Sequence, residues 1–263
     1  RMSGETIRIA GASGFWGDAA RSTPQLLKDE DVDFIVYDYL AEITMSIMAR
    51  ARAKNPDNGY ALDFVSAVMK PNLTEIARQS VRIISNAGGV NPRACADALR
   101  GVIAELNLDL KVACVLGDDM IGQRDEIAAQ GHKEMFSGDE FPDVSKVASI
   151  NAYLGAFPVA RALQEGADIV ITGRSVDSAV TLGACIDAFG WGRGDLNQLA
   201  MGSLAGHILE CGPQATGGNF TDWELSNNLE NIGYPVAEIR QDGSFLCSKP
   251  KGTGGLVSVG TIA

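Results

Sequence analysis

The densest group of chemically capable residues lies between Ala205 and Phe220, in the sequence AGHILECGPQATGGNF. His207 and Glu210 stand three positions apart, so in a helix the imidazole and the carboxylate share one face and can act on the same proton. We therefore predict that His207 and Glu210 are catalytic. A helix C-terminus closed by Gly212 and Pro213 is the alternative interpretation of the same residues.

The end of this stretch has features of an anion-binding loop. Gly217 and Gly218 lack side chains, so their backbone amides can approach a negatively charged ligand closely. Asn219 adds a side-chain amide. We predict that Gly217, Gly218 and Asn219 contact the substrate.

Five short apolar runs, at 7–12, 33–39, 81–85, 111–116 and 169–172, alternate with helical stretches. Strands and helices of this size in alternation are typical of right-handed βαβ units. The sequence therefore predicts an α/β fold, with a mostly parallel sheet and helices on both faces.

Each predicted strand is followed by glycine and polar residues. In open α/β sheets and in (β/α) barrels, ligands bind at the carboxyl ends of the strands. We therefore expect one edge of the sheet to gather polar residues from distant parts of the chain. The candidates are Ser13, Asp38, Glu42, Asn86, Asn91, Asp118, Asp119, Arg174 and Asp177.

Several of these residues have predicted roles in binding. Asn86 with Gly88 and Gly89 fits a cradle for a substrate carboxylate, although these glycines also fit an ordinary turn. Arg174 with Asp177 can hold a carboxylate through the guanidinium fork, or can form a structural ion pair. Asp38 is a further candidate for moving the proton.

The first predicted strand is followed by the pattern G-x-x-G-x-x-G, which favours a cofactor-binding loop at Gly11, Ser13 and Gly14. Asp38, at the end of the second strand, stands about where a dinucleotide fold places its ribose acceptor. No Tyr-x-x-x-Lys follows to complete a short-chain dehydrogenase. An NAD(P)-binding oxidoreductase is therefore one alternative function.

Metal binding has little support in the sequence. Asp118 and Asp119 are weak candidates for Mg²⁺, and a turn with a helix N-cap explains them better. Five cysteines without a C-x-x-C pair do not fit a zinc site. No P-loop, G-x-S-x-G or H-E-x-x-H pattern is present. We expect no metal.

Net charge and hydropathy exclude some classes of binding partner. The formal net charge of −11 disfavours nucleic acid and anionic membranes, which attract clustered Lys and Arg. No apolar run approaches the roughly 20 residues that a membrane helix needs. Small molecules are therefore the expected ligands. The odd number of cysteines fits a reducing, cytoplasmic location.

The sequence changes character after about residue 200. Asp242-Gly243 between two half-apolar runs predicts a β-hairpin, and 252–262 has the pattern of a further strand. We predict a parallel α/β domain at 3–200. The remainder, 201–263, is expected to be a glycine-rich and β-rich segment that starts a truncated second part.

Seven separated segments resemble the N-terminal domain of the acyclic terpene utilisation (AtuA-type) family. They are GASGFWGD at 11–18, DYLAE at 38–42, NAGGVNP at 86–92, TGRSVDS at 172–178, GHILECG at 206–212, TGGNF at 216–220 and KGTGGLVSVG at 251–260. The resemblance implies a role in the catabolism of terpenoids or branched acids through acyl-CoA intermediates. It supplies no catalytic residues.

These observations lead to a predicted function. We expect a carboxylate or acyl-CoA thioester to undergo proton chemistry of hydratase or lyase type. A non-catalytic scaffold subunit of an acyl-CoA enzyme complex is the second alternative. We also expect a homo-oligomer or a larger complex.

Overall fold

The computed structural model describes residues 6–28 and 31–263 and is built around a seven-stranded sheet. The strands are β1 (Thr6–Gly11), β2 (Phe34–Tyr37), β3 (Arg82–Ser85), β4 (Val112–Val115), β5 (Ile169–Thr172), β6 (Val236–Arg240) and β7 (Phe245–Ser248). They lie in the order β4-β5-β3-β2-β1-β6-β7. Strands β1 to β5 pair in parallel, which confirms the predicted α/β fold.

The predicted hairpin is confirmed. β6 pairs antiparallel to β1, and β7 pairs antiparallel to β6. At the turn, Gly243 has a φ of 90°, and the amide of Ser244 donates to Asp242 Oδ1 over 2.9 Å. The hairpin therefore extends the same sheet that the parallel strands form.

Helices cover both faces of the sheet. They are α1 (Ala19–Leu27), α2 (Glu42–Lys54), α3 (Lys70–Gln79), α4 (Pro92–Glu105), α5 (Arg124–Ala129), α6 (Ala156–Gln164), α7 (Ala179–Phe189), α8 (Leu196–Glu210) and α9 (Val259–Ile262). Helix α8 spans residue 200, where the domain boundary was predicted. Among the described residues, no helix is both long enough and apolar enough to cross a membrane.

Two hydrophobic cores lie on opposite sides of the sheet. Side chains alternate along β2, so Ile35 and Tyr37 enter one core while Phe34 and Val36 enter the other. The first core is completed by α1 to α4, and the second by α6, α7 and α8. This alternation in a fully buried strand explains its continuous apolar sequence.

Pro71 does not interrupt the helical segment around it. A π-helical turn, Phe64–Met69, runs directly into α3, and Pro71 lies in the first turn of α3. The side-chain amide of Asn72 donates to the carbonyl of Val68 over 2.7 Å. Pro71 follows directly on the π-helical turn, in which the amide of Lys70 donates to the carbonyl of Val65, and the helix continues through it.

The connections leave the centre of the sheet in opposite directions. Neighbouring strands β3 and β5 are followed by α4 on one face and by α7 on the other. Such a reversal opens a crevice at the carboxyl ends of the strands, where ligands bind in folds of this kind.

The predicted strand at 252–262 is wrong. This stretch is a loop followed by α9. Gly252 and Gly255 take φ values of 74° and 84°, which a strand does not adopt. Ser258 then caps α9 by accepting the amide of Thr261.

Candidate functional site

Three acidic side chains from three different segments meet at the carboxyl edge of the sheet. Asp38 follows β2, Asp177 follows β5, and Glu210 is the last residue of α8. One carboxylate oxygen from each lies within 4.8 Å of the others. We call these three residues the carboxyl cluster. The predicted catalytic residues Asp38 and Glu210 are thus brought together.

Asn86 fixes the position of Asp38. The Asn86 side chain is fully buried, and its Nδ2 donates to Asp38 Oδ1. Its own Oδ1 accepts the backbone amide of Tyr39 over 2.7 Å. Both ends of the amide are therefore engaged within the chain, so Asn86 orients a cluster residue where the sequence predicted contact with a substrate.

Arg174 plays the same part for Asp177. Its guanidinium Nη1 donates to Asp177 Oδ1 over 2.7 Å and to the carbonyls of Leu40 and Ser175 over 3.2 Å. The ring of Tyr153 packs over the guanidinium at 4.1 Å. Only 3% of Arg174 is exposed, so the predicted grip on a substrate carboxylate is occupied by the chain's own groups.

A small-residue face on α8 brings Glu210 to Asp177. Gly202, Gly206 and Glu210 are four positions apart and share one side of the helix. A Cβ on Gly206 would lie 2.7 Å from the carbonyl of Ser178. Glycine at this position lets α8 pack directly on the start of α7, beside Asp177.

Charge crowding shifts the titration of the cluster. Burial, followed by the charges of Asp177 and Asp38, raises the pKa of Glu210 to about 8. The helix C-terminus, with its partial negative charge, further disfavours a carboxylate there. Burial also raises the pKa of Asp38 to about 6, against the hydrogen bond from Asn86. At neutral pH, Glu210 therefore carries a proton while Asp38 is mostly ionised.

His207 connects Glu210 with solvent. Its Nδ1 lies 3.0 Å from Glu210 Oε1, as the three-residue spacing predicted. The His207 side chain is 76% exposed, whereas that of Glu210 is 11% exposed. The imidazole can therefore exchange a proton with water on one side and with Glu210 on the other.

Two cavities flank the end of α8 and share Cys211 and Gln214. The cluster cavity, of about 160 Å³, is lined by His207, Ile208, Glu210, Cys211, Gln214, Ala215, Thr261, Ile262 and Ala263. The loop cavity, of about 280 Å³, is lined by Gly14, Phe15, Asp18, Cys211, Pro213, Gln214, Gly218, Asn219 and Tyr234. The two cavities therefore adjoin one another at Cys211 and Gln214.

The three residues of the predicted anion-binding loop have different positions in the structure. Gly218 and Asn219 line the loop cavity. Gly217 is buried with a φ of 96° and ends the 3-10 turn Gly212–Thr216, and a Cβ on it would clash with Ser226 Oγ. Its place in the turn requires glycine.

Gly88 and Gly89 lie in the turn before α4 and line neither cavity. A Cβ on Gly88 would lie 2.6 Å from the Cβ of Pro92, and one on Gly89 would lie 2.7 Å from the carbonyl of Gly59. This close packing matches the turn alternative for these residues.

The glycines after β1 pack against α8. A Cβ on Gly11 would clash with the carbonyl of Leu209, and one on Gly14 would lie 2.5 Å from the carbonyl of Cys211. The amide of Gly14 donates to Asp18 Oδ2 over 2.9 Å. The amide that a pyrophosphate would use is therefore already engaged.

Ser13, the third residue of the predicted cofactor loop, is buried. Its Oγ donates to the backbone carbonyl of Asp38 over 2.9 Å. Ser13 therefore ties the β1 loop to the carboxyl cluster.

Asp118 and Asp119 have separate partners. Asp118 Oδ2 accepts the amide of Arg174 over 2.8 Å and the side-chain amide of Asn151 over 2.9 Å. Asp119 Oδ2 pairs with Arg52 over 2.9 Å. Among the described residues, the carboxyl cluster gathers three carboxylates, and carboxylate oxygens are the ligands that Mg²⁺ and Ca²⁺ prefer.

The sequence did not single out Tyr153 or Gln214. Tyr153 packs on Arg174 and donates its hydroxyl to Glu42 over 2.8 Å. Gln214 lines both cavities. No local pattern marks either residue, because their importance depends on distant segments. The spacing of Gly202, Gly206 and Glu210 was the available signal for the α7–α8 contact.

Comparison with known proteins identifies a family. The model of a family described as "Acyclic terpene utilisation family protein AtuA" matches residues 7–263. Neither the curated proteins nor the solved structures contain a significant match to the chain.

Proposed function

Because the chain belongs to the acyclic terpene utilisation (AtuA) family, we propose that it acts on a terpenoid or branched acyl compound. The substrate is a carboxylate or a CoA thioester, and the reaction is proton transfer of hydratase or lyase type. The observation that carries this proposal is the carboxyl cluster, where Asp38, Asp177 and Glu210 lie together and Glu210 lines the cluster cavity.

The cluster supplies an acid and a base in one place. Two carboxyl groups whose surroundings separate their pKa values can take opposite roles at one pH. Protonated Glu210 donates its proton to the substrate carbonyl oxygen, while ionised Asp38 removes a proton from the adjacent carbon. The product of this step is an enol, which can expel a hydroxyl group on the next carbon as water; addition of water to the unsaturated compound and C–C cleavage form the same kind of enol, which the acid and base then protonate at carbon.

The neighbouring residues return the proton to Glu210 and keep the carboxyl cluster in position. His207 returns a proton from solvent to Glu210 after each cycle. Asp177, fixed by Arg174, keeps the proton on Glu210 through its negative charge. Asn86 keeps Asp38 aligned.

A divalent cation is a second candidate occupant of the cluster, favoured by the three carboxylate oxygens within 4.8 Å. A cation would relieve the same crowding that a proton relieves. The two differ in a simple test, because Mg²⁺ accelerates a metal-dependent reaction and competes with a proton-dependent one.

The experiment is deuterium exchange. The protein is incubated in D₂O with an acyl thioester and, separately, with the matching free acid. Deuterium at the carbon next to the carbonyl is measured by mass spectrometry, with and without Mg²⁺ and EDTA. We expect exchange that EDTA does not abolish. Exchange only with Mg²⁺ would support the cation, and no exchange with either compound would refute the proposal.

Two other functions remain open, and each has its own readout beside deuterium exchange. An oxidoreductase would show changes in NAD(P)H absorbance, although Gly11 and Gly14 are packed against α8. A scaffold subunit would show neither exchange nor absorbance change and would co-purify with an enzyme.

A further inference from the structure

The two cavities offer little counter-charge for a free carboxylate. Neither is lined by Lys or Arg among the described residues, and His207, the basic side chain in the lining of the cluster cavity, already pairs with Glu210. The nearest guanidinium at the cluster, that of Arg174, is 3% exposed and bonded to Asp177 and two carbonyls. A substrate carboxylate placed at Glu210 would therefore lie beside the carboxyl cluster, whose guanidinium partner is already engaged.

The loop cavity is instead suited to a neutral, amide-bearing chain. Phe15, Pro213 and Tyr234 supply apolar surface. The side-chain amides of Gln214 and Asn219 are exposed and form no hydrogen bond with a described residue. Primary amides both donate and accept, which matches the donor and acceptor of a secondary amide in a ligand.

The volume of the loop cavity indicates how large an amide-bearing ligand arm it can hold. A volume of about 280 Å³ holds about nine non-hydrogen atoms at the roughly 30 Å³ that each water takes in the liquid. An N-acetylcysteamine arm, which carries one amide and ends in sulfur, is smaller than this limit. Because the cavities share Cys211 and Gln214, an arm in the loop cavity lies next to the cavity that Glu210 lines.

We propose that the reacting group is a neutral thioester and not a free carboxylate, with its amide-bearing arm in the loop cavity and its carbonyl at Glu210. This inference rests on the proposed function and narrows its substrate class. It also agrees with the chemistry, because removing a proton beside a carboxylate would create a second negative charge, whereas a thioester carbonyl can accept the proton of Glu210.

The test measures binding without turnover, through the reactivity of Cys211. Cys211 is the exposed cysteine among the described residues and lines both cavities. Its alkylation by iodoacetamide is followed by peptide mass spectrometry in the presence of S-hexanoyl-N-acetylcysteamine or of hexanoate. We expect at least tenfold protection by the thioester and less than twofold protection by the acid.

Two substitutions at one exposed position sharpen the result. Gln214→Leu removes the amide, so the thioester concentration needed for the same protection of Cys211 should rise about tenfold. Gln214→Lys supplies the missing cation and should allow hexanoate to protect Cys211. Gln241→Lys adds the same charge on the exposed turn between β6 and β7, away from both cavities, and should change nothing.

The outcomes separate this inference from the proposed function. Protection of the unsubstituted protein by hexanoate, or by neither compound, overturns the inference. The acid role of Glu210 is judged independently, by deuterium exchange in Glu210→Gln. Thioester protection that persists in Glu210→Gln, together with unchanged exchange, would leave the inference standing and refute the proton role.

Discussion

The glycine loop after β1 and the carboxyl cluster lie on either side of the end of α8, and they carry opposite kinds of sequence signal. The loop has a recognisable pattern, yet Gly11 and Gly14 serve close backbone packing against Leu209 and Cys211. The cluster has no pattern, and its residues come from three distant segments. A glycine motif thus marks where backbones touch, whereas chemistry here depends on where segments converge.

The two regions also depend on different physical effects. At the loop, van der Waals repulsion limits what fits, so an added methyl group affects stability. At the cluster, burial and like charges set the proton affinity of Glu210, so a change of charge affects reactivity. Substitutions in the two regions should therefore have separable consequences.

The largest expected effect is on reactivity. Glu210→Gln keeps the shape of the side chain but removes its acidic proton, so deuterium exchange should fall about 10²- to 10⁴-fold. Its stability should not fall, because a crowded carboxyl group is replaced by a neutral one. Glu165→Gln, at an exposed i,i+4 ion pair with Arg161, is the matched control and should retain full exchange. Exchange within threefold of the unsubstituted protein would remove Glu210 from the mechanism.

The next effect is on stability. Gly11→Ala places a methyl group against the carbonyl of Leu209 and should lower the free energy of unfolding by about 1–3 kcal/mol. Urea unfolding measures this change. Gly101→Ala, in α4 with nothing within 4 Å of the new methyl, should instead stabilise by up to about 1 kcal/mol. Equal behaviour of the two variants would contradict the packing role of the β1 loop.

The pH dependence of stability should report the cluster directly. The pKa of Glu210 is raised from 4.5 to about 8 in the folded chain, so the folded state binds more protons than the unfolded state between these values. The free energy of unfolding should therefore fall as the pH rises, by at most about 1.4 kcal/mol per pH unit for one proton.

The informative window lies between pH 7 and pH 8. Asp18 and Asp38, whose pKa values are raised to about 6, complete most of their titration below pH 7. Urea midpoints across this range should decline in the unsubstituted protein and decline less in Glu210→Gln. Identical slopes would show that Glu210 does not titrate there.

The smallest expected effect is at the solvent side. His207→Ala removes an exposed proton relay, and we expect exchange to fall about tenfold, because water reaches Glu210 less efficiently than an imidazole. Added imidazole should restore part of the rate. Turnover within a fewfold of the unsubstituted protein, with no response to imidazole, would make His207 a bystander.

Much of the fold followed from local sequence. Buried parallel strands are continuous apolar runs, and glycine and polar residues mark their ends, so β1 to β5 and the hairpin were predictable. The run at 252–262 was not, because its composition suits a strand while the positive φ angles of Gly252 and Gly255 turn it into a loop.

The candidate site was predictable in its parts and not in its assembly. The i,i+3 spacing placed His207 beside Glu210, and strand ends nominated Asp38 and Asp177. No local rule gave the α7–α8 contact that joins Glu210 to Asp177. Arg174 and Asn86 were predicted to bind substrate, but both are buried and hold cluster residues in place. Their burial likewise depends on segments far apart in sequence.

The central claim is that the carboxyl cluster holds a proton on Glu210 at neutral pH. It is tested most directly by the ¹³C chemical shift of labelled glutamate carboxyl groups between pH 3 and pH 10, with Glu210→Gln to assign the signal. We predict a titration with a pKa of about 8 that moves down in Asp177→Asn. A Glu210 pKa near the ordinary value of 4.5 would contradict the account.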